Sequence, residues 1–199
     1  MRDAENIAQV AALKPDCMGF IFYDKSPRYV GGLDPAVVKN IDPEIMKVGV
    51  FVNETPEIMI SKVLEYDLDA VQLHGEETPA VCMEMTQICR VIKAFGVSDA
   101  DDILFAVNNY ADVADWLLFD TKTQQHGGSG RKFDWEFLSG YGGEAGFFLS
   151  GGISPEDAGE VAGINIKGLW AIDINSRFEK EPGVKDVEKL KEFFKTIKR

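Results

Sequence analysis

Short apolar runs alternate along the chain with amphipathic stretches. The apolar runs are CMGFIFY at 17–23, MKVGVFV at 46–52, DAVQLH at 69–74, CRVIKAF at 89–95, DWLLFD at 115–120, GFFLSG at 146–151 and GLWAIDI at 168–174. Their length and their β-branched and aromatic content predict strands, and their nearly continuous apolarity predicts burial on both faces. Ile7, Val10, Ala11 and Leu13 recur at helical spacing and predict a helix over 3–13, with Asp3 as its N-terminal cap. DPAVVKNI, TPEIMISKVLEYD, TPAVCMEMTQI, DADDILFAVNNYA and SPEDAGEVAGI predict further helices, DWEFLSGY a turn, and VKDVEKLKEFFKTIKR at 184–199 a closing helix. Several open on Asp-Pro, Thr-Pro or Ser-Pro, a capping residue followed by proline at the first helical position.

Strict β-α alternation without a break in composition predicts one domain, 1–199, built on a parallel sheet. Polar and glycine-rich residues follow the strands nearly all the way round. That distribution favours an α/β fold of the TIM (β/α)8 barrel type, which keeps its site at the C-terminal strand ends. A doubly wound sheet would gather them at one switch point, and no GxGxxG follows the first strand. A barrel of this type needs eight strands, whereas about seven are legible. The deficit falls at the N-terminus, where a helix stands in the place of a first strand.

Composition narrows the function. The 199 residues are 45% hydrophobic and 27% charged, ordinary for a soluble domain large enough to build its own core. A net charge of −12 argues against nucleic acid or an anionic membrane as partner, yet leaves room for a small phosphorylated ligand held by a local positive site. No apolar run is long enough to span a bilayer and no signal-peptide pattern is present, so the expected compartment is the cytoplasm. Cys17, Cys82 and Cys89 lack CxxC spacing and read as reduced core thiols. Two histidines, His74 and His126, make a histidine-rich metal cage improbable, and neither a metal nor another cofactor is expected.

Candidate chemistry sits at the strand ends. Asp120 ends one strand at the mouth of a low-dielectric barrel, where desolvation raises a carboxyl pKa toward that of a general acid; the plainer reading is a helix cap or an ion pair with Lys122. Ser150, Gly151 and Gly152 precede a helix starting near Pro155, and Asp173, Asn175 and Ser176 end the last strand. Loops after strands seven and eight are the usual phosphate grip of such barrels, with exposed backbone N–H groups as donors; the plainer reading is that Gly151–Gly152 simply turns the chain. Arg28 has the planar fork that clamps carboxylates, unless it is a solvated surface residue. Gln72 and His74 at a neighbouring strand end and Gly128 in the glycine-rich loop after Asp120 complete the candidate substrate-binding set, although His74 reads at least as readily as a hydrogen-bonded strand-end residue as a catalytic one. Lys93 lies within a strand and either points into the barrel or packs through its stem.

GFIFYDKSPRYV, VGVFVNETPE, AVQLHGEE, LLFDTKTQQHGGSGRKFDW, FFLSGGISPEDA and AIDINSRFE…PGVKD, in this order and spacing, resemble the phosphoribosylanthranilate isomerase family over essentially the whole chain. The resemblance implies a cofactor-free Amadori rearrangement of N-(5′-phosphoribosyl)anthranilate to 1-(2-carboxyphenylamino)-1-deoxyribulose 5-phosphate. It implies Asp120 as general acid on the furanose ring oxygen, Arg28 at the anthranilate end, and the 150–152 and 173–176 loops on the phosphate. The chain departs from the family pattern in two places. Arg177 stands where a small residue is common. Family members also open on a strand of the form VKICG whose cysteine is the general base, and this sequence starts just after that point; Cys17 lies too late to replace it.

A positioned base is worth about 10²–10⁴-fold in rate. The expectation is therefore that Met1 is an internal methionine and that this polypeptide alone has little or no isomerase activity. The chain is expected as a monomer or homodimer, with open edges at the second and eighth strands favouring association. Rival readings are a ribulose-phosphate epimerase, which lacks its metal ligands here, an indoleglycerol-phosphate synthase, for which Lys93 alone is thin support, and a barrel that binds a phosphorylated ligand without turnover or needs a partner strand.

Overall fold

The computed structural model describes residues 1–121 and 135–197. Within them, α1 (Ala4–Ala11) leads into β1 (Cys17–Ile21), and strands and helices then alternate: α2 (Pro35–Lys39), β2 (Met46–Phe51), α3 (Pro56–Tyr66), β3 (Ala70–Leu73), α4 (Pro79–Met85), β4 (Arg90–Val97), α5 (Ala100–Tyr110) and β5 (Trp116–Thr121). A 3₁₀ turn at Trp135–Gly140 precedes β6 (Gly146–Leu149), and another at Pro155–Asp157 runs into α6 (Ala158–Ala162). β7 (Leu169–Ile172), a 3₁₀ turn at Ser176–Phe178, the short strands β8 (Glu179–Glu181) and β9 (Val184–Lys185), and α7 (Val187–Ile197) follow.

All seven strands expected from the apolar runs form, and they pair in parallel in the order β1-β2-β3-β4-β5-β6-β7. Among the described residues no pairing closes β7 onto β1. The helices start where the caps predict: the side chains of Asp3, Asp34, Thr55, Thr78 and Asp99 each accept a backbone N–H in the first turn of α1 to α5. One expectation needs correction. The stretch at 184–199 is not helical from its start, because Val184–Lys185 pairs with Glu179–Glu181 as an antiparallel ribbon and the helix begins only at Val187.

Strand alternation sorts the core into two layers. Phe20, Phe51, Leu73, Val91, Leu117, Phe119, Phe147 and Leu149 face outward and pack under the helices. Val48, Ala70, Ile92, Ala94, Leu118 and Phe148 face the inside of the curl. The inner row then continues into polar residues at the C-terminal strand ends: Gln72 two residues beyond Ala70, Asp120 beyond Leu118, Ser150 beyond Phe148 and Asp173 beyond Ala171. The period of two that buries the core thus also aims these side chains into the mouth.

Phe119 is fully buried, with ring contacts to Tyr141 at 6.0 Å and Phe147 at 5.5 Å. Phe119→Ala is expected to cost about 3–5 kcal/mol in denaturant unfolding. A loss below about 1 kcal/mol would mean that this layer is not packed as described.

Candidate active site

The expected site residues converge. Arg28, Gln72, His74, Asp120, Ser150, Gly151, Gly152, Asp173, Asn175 and Ser176 all line one cavity of about 440 Å³ at the C-terminal strand ends. Gly128, with Lys122 and His126, lies outside the described residues. The cavity also extends between β1 and β7, where Cys17 and Met18 line it.

Asp120 is the most perturbed acid at the mouth. Burial raises its pKa from 3.8 to about 6, the Asp173 carboxylate pushes in the same direction, and the Thr121 N–H donated to Oδ1 at 2.7 Å opposes both. Its Oδ2 lies 3.9 Å from His74 Nε2, and the other ring nitrogen, Nδ1, sits 2.8 Å from Gln72 Nε2. The ring is thus held through one nitrogen by Gln72 and faces the Asp120 carboxylate with the other. Gly151 lets the next strand approach this closely. Its φ is +97°, and a Cβ there would collide with Thr121 and stand 2.8 Å from Asp120 Oδ1.

The 150–152 and 173–176 segments meet across neighbouring strands. Ser150 Oγ donates to Asp173 Oδ2 at 3.0 Å, while the backbone N–H of Ser150 and of Asp173 continue the sheet to Phe119 and Leu149. Gly152, at φ +68°, turns the chain toward the 3₁₀ turn at Pro155, where Ser154 and Asp157 form a capping box.

Arg28 is neither a solvated surface residue nor idle. Its Nε and Nη2 grip Glu179 at 2.7–3.0 Å, and side-chain exposure is 15% for Arg28 and 5% for Glu179. Lys185 Nζ joins the same carboxylate at 3.3 Å and reaches Asn175 Oδ1 at 2.6 Å. Burial pushes Glu179 up, but the Arg28 fork and the Lys185 charge outweigh it and hold its pKa below the usual range. The loop after β1 is thereby tied to the Asn175–Ser176 segment. Glu179 and Lys185 were not legible as site residues, because their partners lie up to 151 residues away and nothing local marks them.

The thiols are poor acids. Burial pushes Cys17 up to about 12 and Cys82 and Cys89 to about 11. Among the described residues no group of His, Cys, Asp and Glu is arranged to hold a metal ion, and no helix is long and apolar enough to cross a membrane.

A parallel strand–helix sheet with its polar side chains gathered beyond the C-terminal strand ends defines a (β/α)-barrel enzyme. Comparison with known proteins narrows the class. The family model for N-(5′-phosphoribosyl)anthranilate isomerase matches residues 1–196. A relative from Parabacteroides distasonis with that name is 44% identical over 201 residues, covering 99% of this chain and 90% of its own length. The crystal structure of phosphoribosyl anthranilate isomerase from Thermotoga maritima superposes with a TM-score of 0.89 at 36% identity, covering 100% of this chain and 95% of that one. A phosphoribosyl anthranilate isomerase in complex with reduced 1-(o-carboxyphenylamino)-1-deoxyribulose 5-phosphate superposes with a TM-score of 0.86 at 33% identity, covering 100% and 95%. The chain belongs to the N-(5′-phosphoribosyl)anthranilate isomerase family.

The raised pKa of Asp120 has a consequence for stability. A folded-state value above the unfolded one means that the ionised form destabilises the fold: the cost is absent below about pH 4, grows as pH rises through about 6, and is complete above that. Asp120→Asn is therefore expected to be neutral near pH 3.5 and to stabilise the protein at pH 8, on the order of 2 kcal/mol. Urea unfolding at the two pH values checks this, and equal stability of both proteins at pH 8 would contradict it.

Proposed function

We propose that this protein catalyses the Amadori rearrangement of N-(5′-phosphoribosyl)anthranilate in tryptophan biosynthesis, acting in the cytoplasm on a soluble substrate without a cofactor. Family membership supplies the reaction. The observation that carries the chemistry is Asp120, a half-buried carboxyl with a pKa of about 6 aimed into the cavity.

Near that pH an appreciable fraction of Asp120 keeps its proton, which suits a general acid. It gives the proton to the furanose ring oxygen as the C1′–O bond breaks and the nitrogen lone pair forms the C1′=N bond of a protonated Schiff base. Loss of the C2′ proton then gives an enolamine, and its ketonisation completes the isomerisation with no net redox change. The phosphate is held by the backbone N–H groups of Gly151 and Gly152 and of the 175–176 segment, with Ser150 contributing through its side chain. Arg28 lies toward the anthranilate carboxylate, with Gln72 and His74 along the wall between.

A second reading, ligand binding without turnover, is favoured by one observation: all three thiols in the chain are pushed well above neutral pH. None of them is suited to removing the C2′ proton. Turnover of N-(5′-phosphoribosyl)anthranilate, followed by product fluorescence, separates the two readings. It is measured on this chain and on a chain lengthened at its N-terminus by a strand carrying a cysteine.

The isomerase reading predicts turnover in at least the lengthened chain, loss of about 10²–10⁴-fold on Asp120→Asn, and a kcat/KM that declines as pH rises through about 6, where Asp120 gives up its proton. Full activity of the Asp120→Asn protein would remove Asp120 from the mechanism. Tight binding with no turnover in either chain would establish the second reading.

A further inference from the structure

Lys93 lies in the middle of β4, and the reaction as described does not use it. Alternation puts it on the outer face with Val91 and Phe95, beneath the helices rather than inside the curl. Its ammonium sits 5.1 Å from the centre of the Phe95 ring and then turns toward the mouth. It donates to the carbonyls of Leu73 at 3.0 Å, Gly75 at 2.8 Å and Ala94 at 3.1 Å, and to Glu77 Oε2 at 3.1 Å. Three N–H bonds thus serve four oxygens, and both carbonyls flanking His74 are among them.

Glu77 completes the grip from the other side. Its carboxylate accepts from the backbone N–H of Gly75 at 3.0 Å and of Asn53 at 2.8 Å, and Tyr110 Oη donates to its carbonyl at 3.2 Å. The Lys93 and Glu77 side chains are each 2% exposed. The pair therefore clamps the backbone on both sides of His74 to β4, to the end of β2 and to α5.

We propose that Lys93 and Glu77 are positioning residues: by fixing the 73–77 backbone they hold the His74 imidazole against Asp120 and in the substrate's path. This rests on the reading of His74 as part of the substrate-binding wall. An ion pair buried in an otherwise apolar layer is often replaceable by apolar or neutral groups without loss of stability. Its placement on the backbone that carries His74 is what gives it a functional role.

Two variants test the proposal. The pair Glu77→Gln with Lys93→Met removes both charges and orphans neither, and Glu77→Gln alone keeps the shape of the site while leaving the Lys93 ammonium on three backbone carbonyls. Urea unfolding establishes that each variant is folded before KM is read. The double variant is expected to raise KM for N-(5′-phosphoribosyl)anthranilate at least tenfold, and Glu77→Gln at least threefold, with kcat within threefold of the parent. That is the signature of lost uniform binding. Amide hydrogen exchange at Asn53 and Gly75 should accelerate at least tenfold in the double variant while the β5 amides keep their protection. A merely structural pair would instead reduce the active fraction, lowering kcat at constant KM.

Unchanged KM, or unchanged exchange at Asn53 and Gly75, would overturn the proposal. If the parent shows no turnover, the kinetic comparison is made in the lengthened chain, and only absence of turnover in both chains counts, separately, against the isomerase reading. The dissociation constant for reduced 1-(o-carboxyphenylamino)-1-deoxyribulose 5-phosphate then replaces KM, with the same fold-changes deciding.

Discussion

In a parallel sheet sheathed by helices most of each strand interior is committed to packing on both faces, so the polar side chains that face the cavity gather where the strands end. Asp120 sits at that limit. Leu118, two residues earlier on the same face, is buried in the inner core layer, and Asp120 is the first position of the row where a carboxylate reaches the cavity. Remaining close to the apolar layer denies it full solvation, and Asp173 across the mouth adds a second negative charge, so the proton is retained to about pH 6. The same placement makes the group useful as an acid and costly to the fold. Gly151 is bound to this arrangement, since any side chain there would occupy the space of the carboxylate.

Two buried ion pairs flank that centre and do different work. Glu179 gathers Arg28, Lys185 and the Gly183 amide, and so joins the loop after β1 to the segment after β7. Glu77 and Lys93 act on the opposite side, joining the ends of β2, β3 and β4. Removing one partner of either pair leaves an uncompensated charge in an apolar setting, a change that typically costs about 3–5 kcal/mol. The loops around the mouth are thereby tied to one another and to the strand ends by buried side chains.

Much of this was legible from sequence because it is local. Seven apolar runs of strand length produced seven strands, and proline or acidic caps marked the helix starts, since both signals depend on neighbours a few residues apart. The convergence of Asp120, Ser150–Gly152 and Asp173–Ser176 followed from the barrel rule that strand ends share one mouth. The β8–β9 ribbon was missed because strands of three and two residues, Glu-Lys-Glu and Val-Lys, carry no apolar alternation and are held by contacts to Asn6 and Glu179. The direction of Lys93 was also beyond reach. Alternation sets the face of its Cβ, but a four-carbon stem reaches whatever carbonyls the fold brings near. Arg28 illustrates the same limit, because its partner Glu179 becomes a neighbour only once β8 is in place.

The most direct test is whether the mouth defined by Asp120, Ser150–Gly152 and Asp173–Ser176 is the substrate site, independent of any proton-transfer step. Calorimetric titration of this chain with reduced 1-(o-carboxyphenylamino)-1-deoxyribulose 5-phosphate measures it. The predicted result is one molecule bound per chain, displaced by millimolar inorganic phosphate and lost when Ser176→Asp sets a negative charge at the phosphate end. Absence of binding at millimolar ligand, or binding that Ser176→Asp leaves intact, would contradict it.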